Sequence, residues 1–180
     1  SDTRETVISQ SKLNEHTEGL IALSGAQYSD VGVALMEGNL ELAEKYLQVW
    51  KTMFPNSFYL EVQRLGKVGE DQYLAGLIEL AIESNTPVVA TNDVRFISQD
   101  DFEAHEVRVC INEGRTLDDP RRSRNYTAEQ YLKSSEEMSQ LFCDLPAAIA
   151  NTVEIIKRCN LELKLGTPHS PRYPVPEGET

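Results

Sequence analysis

The residues best placed to do chemistry lie in one short stretch, Thr91–Phe96, which reads Thr-Asn-Asp-Val-Arg-Phe. This stretch follows the continuous apolar run Pro87–Ala90, which is typical of a strand buried on both faces of a parallel sheet. Ligands and metals in parallel α/β folds bind at the loops beyond the carboxyl ends of the strands. Asp93 therefore has the position of a metal-binding or catalytic carboxylate. The alternative is that Asn92 and Asp93 only form the turn after the strand.

Two other groups of polar residues are weaker candidates. Asp101 and His105 lie four residues apart on a predicted helix, so they share a face and could bind a metal as a pair. Two residues do not complete a metal site, and a capping or solvated role is the simpler interpretation. A basic loop is formed by Arg115, Arg121, Arg122 and Arg124. Its last three arginines could contact DNA or a partner protein, although pairing with nearby acidic residues is the default expectation.

The elements that must position these residues follow from the hydrophobic pattern. Strands are predicted within Gly19–Gly25, Phe58–Gln63 and Pro87–Thr91, and helices over Asp30–Glu37, Leu40–Phe54 and Glu70–Ser84. The alternation of strand and helix predicts a parallel sheet with right-handed crossovers. Three strands alone would leave two exposed sheet edges, so the pattern suggests that further strands belong to the fold.

The second half of the chain is predicted to be mainly helical. Ser98 is expected to cap a helix through about Asn112, and Pro146 to lie in the first turn of a last helix that ends near Cys159. Capping boxes are predicted for two pairs, Thr127 with Gln130 and Ser134 with Glu137. Residues 1–17 are interpreted as a polar lead-in or a single helical turn. The proline-rich residues 166–180 are interpreted as an extended connector.

Composition excludes several classes of protein. The chain has 180 residues and a formal net charge of −12. An acidic segment of this kind is a poor candidate for tight DNA binding, because it repels the phosphate backbone. No apolar run reaches the roughly 20 residues of a membrane helix. Three scattered cysteines, Cys110, Cys143 and Cys159, fit reduced thiols in a cytoplasmic protein better than disulfides.

Several motifs in order resemble one known family. They are Glu18–Gly25, Phe58–Glu61, Pro87–Val94, Asp101–Val107, Thr116–Pro120, Ala150–Ile155 and Pro174–Gly178. Together they resemble the PHP (polymerase and histidinol phosphatase) domain of bacterial DNA polymerase III alpha subunits of the proteobacterial type. The resemblance implies a distorted seven-stranded α/β barrel with metal sites at the carboxyl ends of its strands. Residues 18–165 would be the carboxyl-terminal part of that domain, and 166–180 a connector toward the polymerase palm.

The resemblance also implies that the metal site is degenerate. Family members that are competent for metal carry Thr-Asn-Asp-x-His, in which both Asp and His are ligands, whereas this chain has Arg95 at the His position. Arginine has no lone pair to donate, and its charge repels a cation. Many such members also have Cys or His where this chain has Ala26. Asp93 is therefore expected to be a vestigial ligand, which Arg95 could neutralise in place of a metal, and no catalytic residue is expected.

Three functions remain open from the sequence. The first is a structural and interaction module of a replicative DNA-directed DNA polymerase, a nucleotidyltransferase that uses Mg²⁺. Its implied partners are the rest of the alpha subunit, the proofreading exonuclease (epsilon) subunit, and DNA through other domains; the segment alone would bind no cofactor and could self-associate. The second is a metal-dependent phosphoesterase, either a 3′–5′ exonuclease or a pyrophosphatase, completed by residues outside this chain. The third is an unrelated small α/β binding protein.

Overall fold

The computed structural model describes residues 7–163 and 165–168, which form a small parallel sheet with helices packed on it. The helices are α1 (Gln10–Asn14), α2 (Asp30–Met36), α3 (Leu40–Met53), α4 (Glu70–Ser84), α5 (Phe102–Glu113), α6 (Ser135–Leu141) and α7 (Pro146–Arg158). The strands are β1 (Ala22–Leu23), β2 (Phe58–Val62) and β3 (Val88–Ala90). Short 3₁₀ turns occupy Ala26–Tyr28 and Gln99–Asp101. Among the described residues, no helix is long and apolar enough to cross a membrane.

The sheet confirms the predicted parallel arrangement. Its order is β1-β2-β3, with Ala22 opposite Phe58 and Leu60 opposite Val88. β2 is the central strand, and four of its five residues are buried, as its position between the helical layers requires. Within the described residues the sheet stays open, with no strand on the outer edge of β1. A mixed α/β fold is therefore established, and closure into a seven-stranded barrel stays a prediction.

The outer edge of β3 is covered by a helix, although the sequence suggested that both edges would be exposed. Leu60 N–H donates to the Pro87 carbonyl (2.9 Å), so the carbonyl of Val88, the next residue, faces away from β2. Helix α7 packs against β3, and Asn151 Nδ2 on that helix donates to the Val88 carbonyl (2.8 Å). A side-chain amide thus satisfies a backbone group that a neighbouring strand would otherwise bind.

Local signals in the sequence explain where the first helices begin. The Ser29 hydroxyl accepts from Gly32 N–H (3.0 Å) at the start of α2, and Asn39 Oδ1 accepts from Leu42 N–H (3.1 Å) at the start of α3. Gly32 is also required by packing, because a Cβ there would lie 2.3 Å from the carbonyl oxygen of Ala26. The 3₁₀ turn after β1 therefore packs directly on α2. The core is formed by buried side chains that include Leu47, Leu60, Val62, Tyr73, Leu77 and Phe142.

An arginine joins the end of β2 to the turn between α6 and α7. Arg64 Nη1 and Nη2 each donate to a different carboxylate oxygen of Asp144, both at 2.7 Å. The guanidinium carbon lies 5.0 Å from the ring centre of Phe142, which is fully buried. Hydrogen bonding from Arg64 lowers the pKa of Asp144. The interaction ties the helical second half of the chain to the central strand.

The segment between β3 and α6 contains the one element that the sequence pattern predicted wrongly. Thr127 N–H does donate to Gln130 Oε1 (3.0 Å), as in a capping box, but no helix follows, and Tyr131 instead pairs with Phe96 in a parallel bridge. The local hydrogen bond closes a turn because backbone pairing with residues 95–96 takes the place of helical bonds. The capping box of Ser134 with Glu137 is confirmed at the start of α6.

The remaining helix boundaries agree closely with prediction. Ser98 caps the 3₁₀ turn that leads into α5, rather than α5 itself, and α7 begins at Pro146 with Cys159 at its carboxyl end. The single turn of helix expected in the lead-in is α1. All three cysteines are free thiols. In the predicted connector, residues 169–180, which include His169 and the motif Pro174–Gly178, lie outside the described residues.

Candidate functional site

The candidate site lies at the carboxyl end of the sheet, as the sequence predicted. Asp93 follows β3 by three residues and has a φ of 39°, the left-handed turn conformation that Asp and Asn tolerate best. The buried Asn92 fixes this turn, because its Nδ2 donates to the carbonyls of Glu129 (3.0 Å) and Tyr131 (2.7 Å). The loop that carries Asp93 is therefore held by the segment that replaces the expected helix.

Both oxygens of the Asp93 carboxylate are engaged by donors from the chain itself. Arg95 Nη2 lies 2.6 Å from Oδ1. This contact is the pairing of Arg95 with Asp93 that the sequence suggested. The amide Nε2 of the fully buried Gln130 donates to Oδ2 at 2.7 Å. Lys67 Nζ lies 3.9 Å from the same oxygen. Two cations and one amide thus surround a single carboxylate.

The two cations are positioned by aromatic rings. The Lys67 side chain is only 10% exposed, and its ammonium nitrogen lies 4.9 Å from the ring centre of Tyr28. The Arg95 guanidinium carbon lies 5.5 Å from the ring centre of Tyr126. A cation over an aromatic face is stabilised by the ring quadrupole. These contacts hold positive charge against Asp93 from two different loops.

A second carboxylate, Glu61, joins the ends of all three strands. Its Oε2 accepts from Gly25 N–H, just beyond β1 (3.1 Å), and its Oε1 accepts from Gln63 Nε2 (3.0 Å) and from the Thr91 hydroxyl just beyond β3. Gln63 Nε2 also donates to Thr91 Oγ1 (3.0 Å). The Glu61 carboxylate is therefore bound by neutral donors and stabilises the edge of the sheet where the candidate site lies.

The residues present do not fit a divalent cation. Metal-binding carboxylates need free lone pairs and a surrounding set of anionic or neutral ligands. Asp93 instead contacts Arg95 and Lys67, whose charges oppose a metal, and Ala26, buried beyond β1, has no donor atom in its side chain. Across residues 7–163 and 165–168, no three side chains of His, Cys, Asp or Glu come together in a metal-binding arrangement.

The other predicted pair, Asp101 and His105, has a structural role. Asp101 Oδ2 accepts from Ser98 N–H (2.9 Å), which confirms the capping interpretation. The His105 ring packs edge-on against Tyr126, with ring centres 4.6 Å apart, and against Phe96 at 5.4 Å. This packing orients Tyr126, the ring that Arg95 covers. His105 therefore supports the candidate site through aromatic contacts.

The basic loop is largely neutralised by acidic residues. Arg121 donates to both oxygens of Asp119 (3.0 and 2.9 Å), and Arg115 approaches the same carboxylate at 3.3 Å. Hydrogen bonds from the Arg121 side chain and backbone lower the pKa of Asp119 to about 2. Arg122 pairs with the buried Glu106. Arg124 is exposed and lines a cleft of about 600 Å³ together with Lys67 and Tyr28, among other residues.

Comparison with known proteins shows what the chain is similar to. A PHP domain profile matches residues 2–65, which include β1 and β2. DNA polymerase III subunit alpha of Pseudomonas aeruginosa is 54% identical over 174 residues, or 97% of this chain. The Escherichia coli K12 protein of the same name is 48% identical over 174 residues, and that of Vibrio cholerae is 48% identical over 170 residues.

Over nearly its whole length the chain is similar to DNA polymerase III alpha subunits, and residues 2–65 match the PHP domain. It spans about 15% of the length of the curated relatives that it matches. The PHP profile match ends at Leu65, before the Asp93 loop, whereas the similarity to the alpha subunits covers nearly the whole chain. The stretch that is similar to the alpha subunits therefore includes the Asp93 loop.

Sequence reasoning missed three residues of this site: Glu61, Lys67 and Gln130. Glu61 could have been found, because it lies at the end of β2, and the carboxyl ends of parallel strands meet at one edge of the sheet. Lys67 gave no signal in the sequence, and Gln130 was predicted only as the partner of Thr127 in a capping box, with no role at this site. Each lies in an irregular segment, 26 or more residues from Asp93, and only the tertiary fold brings them together.

Proposed function

We propose that this chain is the carboxyl-terminal part of the PHP domain in a replicative DNA polymerase III alpha subunit, and that it is a structural and interaction module without phosphoesterase activity. The whole subunit would add deoxynucleotides to a primer through two-metal phosphoryl transfer with Mg²⁺. The residues for that reaction would lie in other domains. On this proposal the segment works in the cytoplasm, as its free cysteines and the identity of its relatives suggest.

The observation that carries the proposal is the neutralised Asp93. In this family the corresponding motif would supply a metal ligand, but here Arg95 Nη2 lies 2.6 Å from Oδ1, and Gln130 and Lys67 face Oδ2. The permanent positive charge of Arg95 neutralises Asp93, as a metal ion would, and it holds the loops together without a metal. The loss of a ligand at position 95 is thus compensated locally, as expected when a fold is retained after its chemistry is lost.

The proposal includes the architecture implied by the resemblance. Residues 18–165 would complete a distorted seven-stranded barrel with strands from outside this chain, which would join at the open edge of β1. Residues 1–17 would lead into this part, and 166–180 would connect it to the palm. The partners would be the rest of the alpha subunit and the proofreading exonuclease subunit, and Arg121, Arg122 and Arg124 would be a possible contact loop. Without its other strands the segment would self-associate.

The test is metal analysis of the full-length subunit, purified without chelators and dialysed against metal-free buffer. We expect no stoichiometric zinc or manganese, and no manganese-dependent release of nucleotides from labelled single-stranded DNA. Asp93→Ala is the diagnostic variant, and Asp100→Ala, in an exposed carboxylate seven residues away, is its matched control. Stoichiometric metal together with nucleotide release that Asp93→Ala abolishes and Asp100→Ala preserves would overturn the proposal in favour of a phosphoesterase.

A further inference from the structure

The segment that follows α7 has the sequence pattern of a strand. From Asn160 to Leu165 the chain reads Asn-Leu-Glu-Leu-Lys-Leu, in which polar and apolar residues alternate strictly. Cys159, which ends α7, already has extended backbone angles (φ −85°, ψ 95°). Alternation with a period of two puts all three leucines on one face of an extended chain. The sequence therefore encodes a half-buried strand at this point.

The structure gives this strand sequence no partner among the described residues. Leu161, Leu163 and Leu165 are 82%, 69% and 83% exposed. Leu161, Glu162 and Leu163 make no backbone hydrogen bond to another described residue. Three leucines at alternate positions with this exposure differ from scattered surface apolar residues, because a single flat surface can cover all of them.

Helix α7, which precedes these leucines, also exposes apolar side chains. One face of α7 packs on β3 through the buried Ala148 and through Asn151. Val153 and Ile156, three residues apart and so on one side of the helix, are 49% and 70% exposed. The helix thus packs on the sheet with one side and exposes apolar side chains on another. It directly precedes the three leucines in the sequence.

We propose that residues 160–165 add as a β-strand to a sheet edge formed by another part of the same polypeptide, with the leucine face buried there. This inference rests on the proposed function, in which the chain is one segment of a longer subunit. The relatives are more than six times as long as this chain, since it covers about 15% of their length, so ample polypeptide exists to supply the edge.

A tethered partner is favoured over a second copy. An edge on the same polypeptide is present at an effective concentration of the order of millimolar. A second copy would have to compete at the far lower concentration of the free protein. Strand addition also pairs alternate backbone amides of residues 160–165 with the sheet edge and buries the leucine face in a single step, which is why exposed alternating segments of this kind recruit sheet edges.

The experiment is hydrogen–deuterium exchange of the full-length subunit, followed by mass spectrometry of the peptide that spans residues 159–166. We expect the amides that face the sheet edge, every second one along residues 160–165, to exchange about 100-fold or more slowly than in the same sequence as a free peptide, because ladder amides exchange only through opening of the sheet. Leu163→Asp should abolish this protection. Glu162→Gln, on the opposite face of the strand, is the matched control and should keep it.

Three results would overturn the inference. Exchange of the wild-type peptide at the free-peptide rate would show that no strand forms. Protection that appears only as the subunit concentration rises would assign the strand to a second copy, and protection that appears only when another protein is added would assign it to that partner. Failure of this kind is distinct from failure of the proposed function, because metal content and nucleotide release are measured without reference to residues 159–166.

Discussion

Replacing Asp93 with Asn tests whether the candidate site is held together by charge. The substitution removes the carboxylate but keeps the shape of the side chain and its tolerance of the left-handed backbone at φ 39°. Asn has one acceptor oxygen, so it can satisfy either Arg95 or Gln130 but not both. Lys67, whose side chain is 10% exposed, then lies in a mostly buried position without the one carboxylate that pairs with its ammonium group among the described residues.

The expected cost follows from the partners that are lost. A hydrogen bond to a charged group contributes about 1.5–3 kcal/mol when buried. Asp93 and Arg95 form an ion pair in which the side chains are 26% and 44% exposed, so solvent screening limits its contribution to about 1 kcal/mol. The lost attraction between Lys67 and Asp93, 3.9 Å apart, adds about 1 kcal/mol even at the dielectric constant of bulk water. We therefore expect the free energy of unfolding to fall by about 2 kcal/mol, which for a chain of this size lowers Tm by roughly 4–8 °C.

The assay is urea and thermal unfolding of the 180-residue chain followed by circular dichroism, with and without EDTA. Asp100→Asn is the control, because Asp100 is exposed and close in sequence, and it should unfold like the wild type. EDTA should change neither protein. The reasoning fails if Asp93→Asn unfolds with the wild-type midpoint. It also fails if EDTA destabilises the wild type while leaving Asp93→Asn unchanged, since that pattern identifies Asp93 as a metal ligand.

Three further predictions concern the surroundings of the site. Arg64→Met should lower the free energy of unfolding by about 1–2 kcal/mol in urea titrations, because it removes a bidentate but partly exposed pair with Asp144. Asp119 should titrate with a pKa of about 2 by NMR, and Arg121→Ala should raise that pKa. Because the pKa is lower in the folded state, the ionised Asp119 stabilises the fold above about pH 4. This stabilisation is lost as the pH falls toward 2. Tyr73→Phe should cost about 1 kcal/mol in the same urea titrations, because it leaves the Glu61 carbonyl without its 2.7 Å donor.

Those parts of the fold that depend on local patterns could be predicted from the sequence. The apolar runs predicted the three strands and their parallel direction, since strand–helix alternation favours a parallel sheet. Ser134 with Glu137 gave the start of α6 because a capping box is a local interaction. Thr127 with Gln130 has the same signature but forms a turn, because pairing with residues 95–96 competes successfully for the backbone. A local motif cannot report that competition.

The candidate site was predictable in position and in one of its contacts. Asp93 could be placed at the carboxyl end of β3, and the charge of Arg95 suggested their pairing. The contacts of Asp93 with Lys67 and Gln130 could not be predicted, because both residues lie in irregular segments whose path is set by packing. Residue types alone also gave no sign that Asn151 covers the edge of β3. Long-range partners of irregular loops are the part of a structure that sequence periodicity does not encode.

The hydrogen bond from Asn151 to the Val88 carbonyl has a consequence for how the sheet can grow. Because that carbonyl is already bound, a strand that approached β3 would have to displace the side-chain amide of Asn151. Among the described residues, the outer edge of β1 has no strand beside it. A new strand would therefore add more readily at β1 than at β3, where the side chain of Asn151 already binds the Val88 carbonyl. Closure of the seven-stranded barrel proposed above would require the Val88 carbonyl to exchange the side-chain amide of Asn151 for the backbone N–H of a strand.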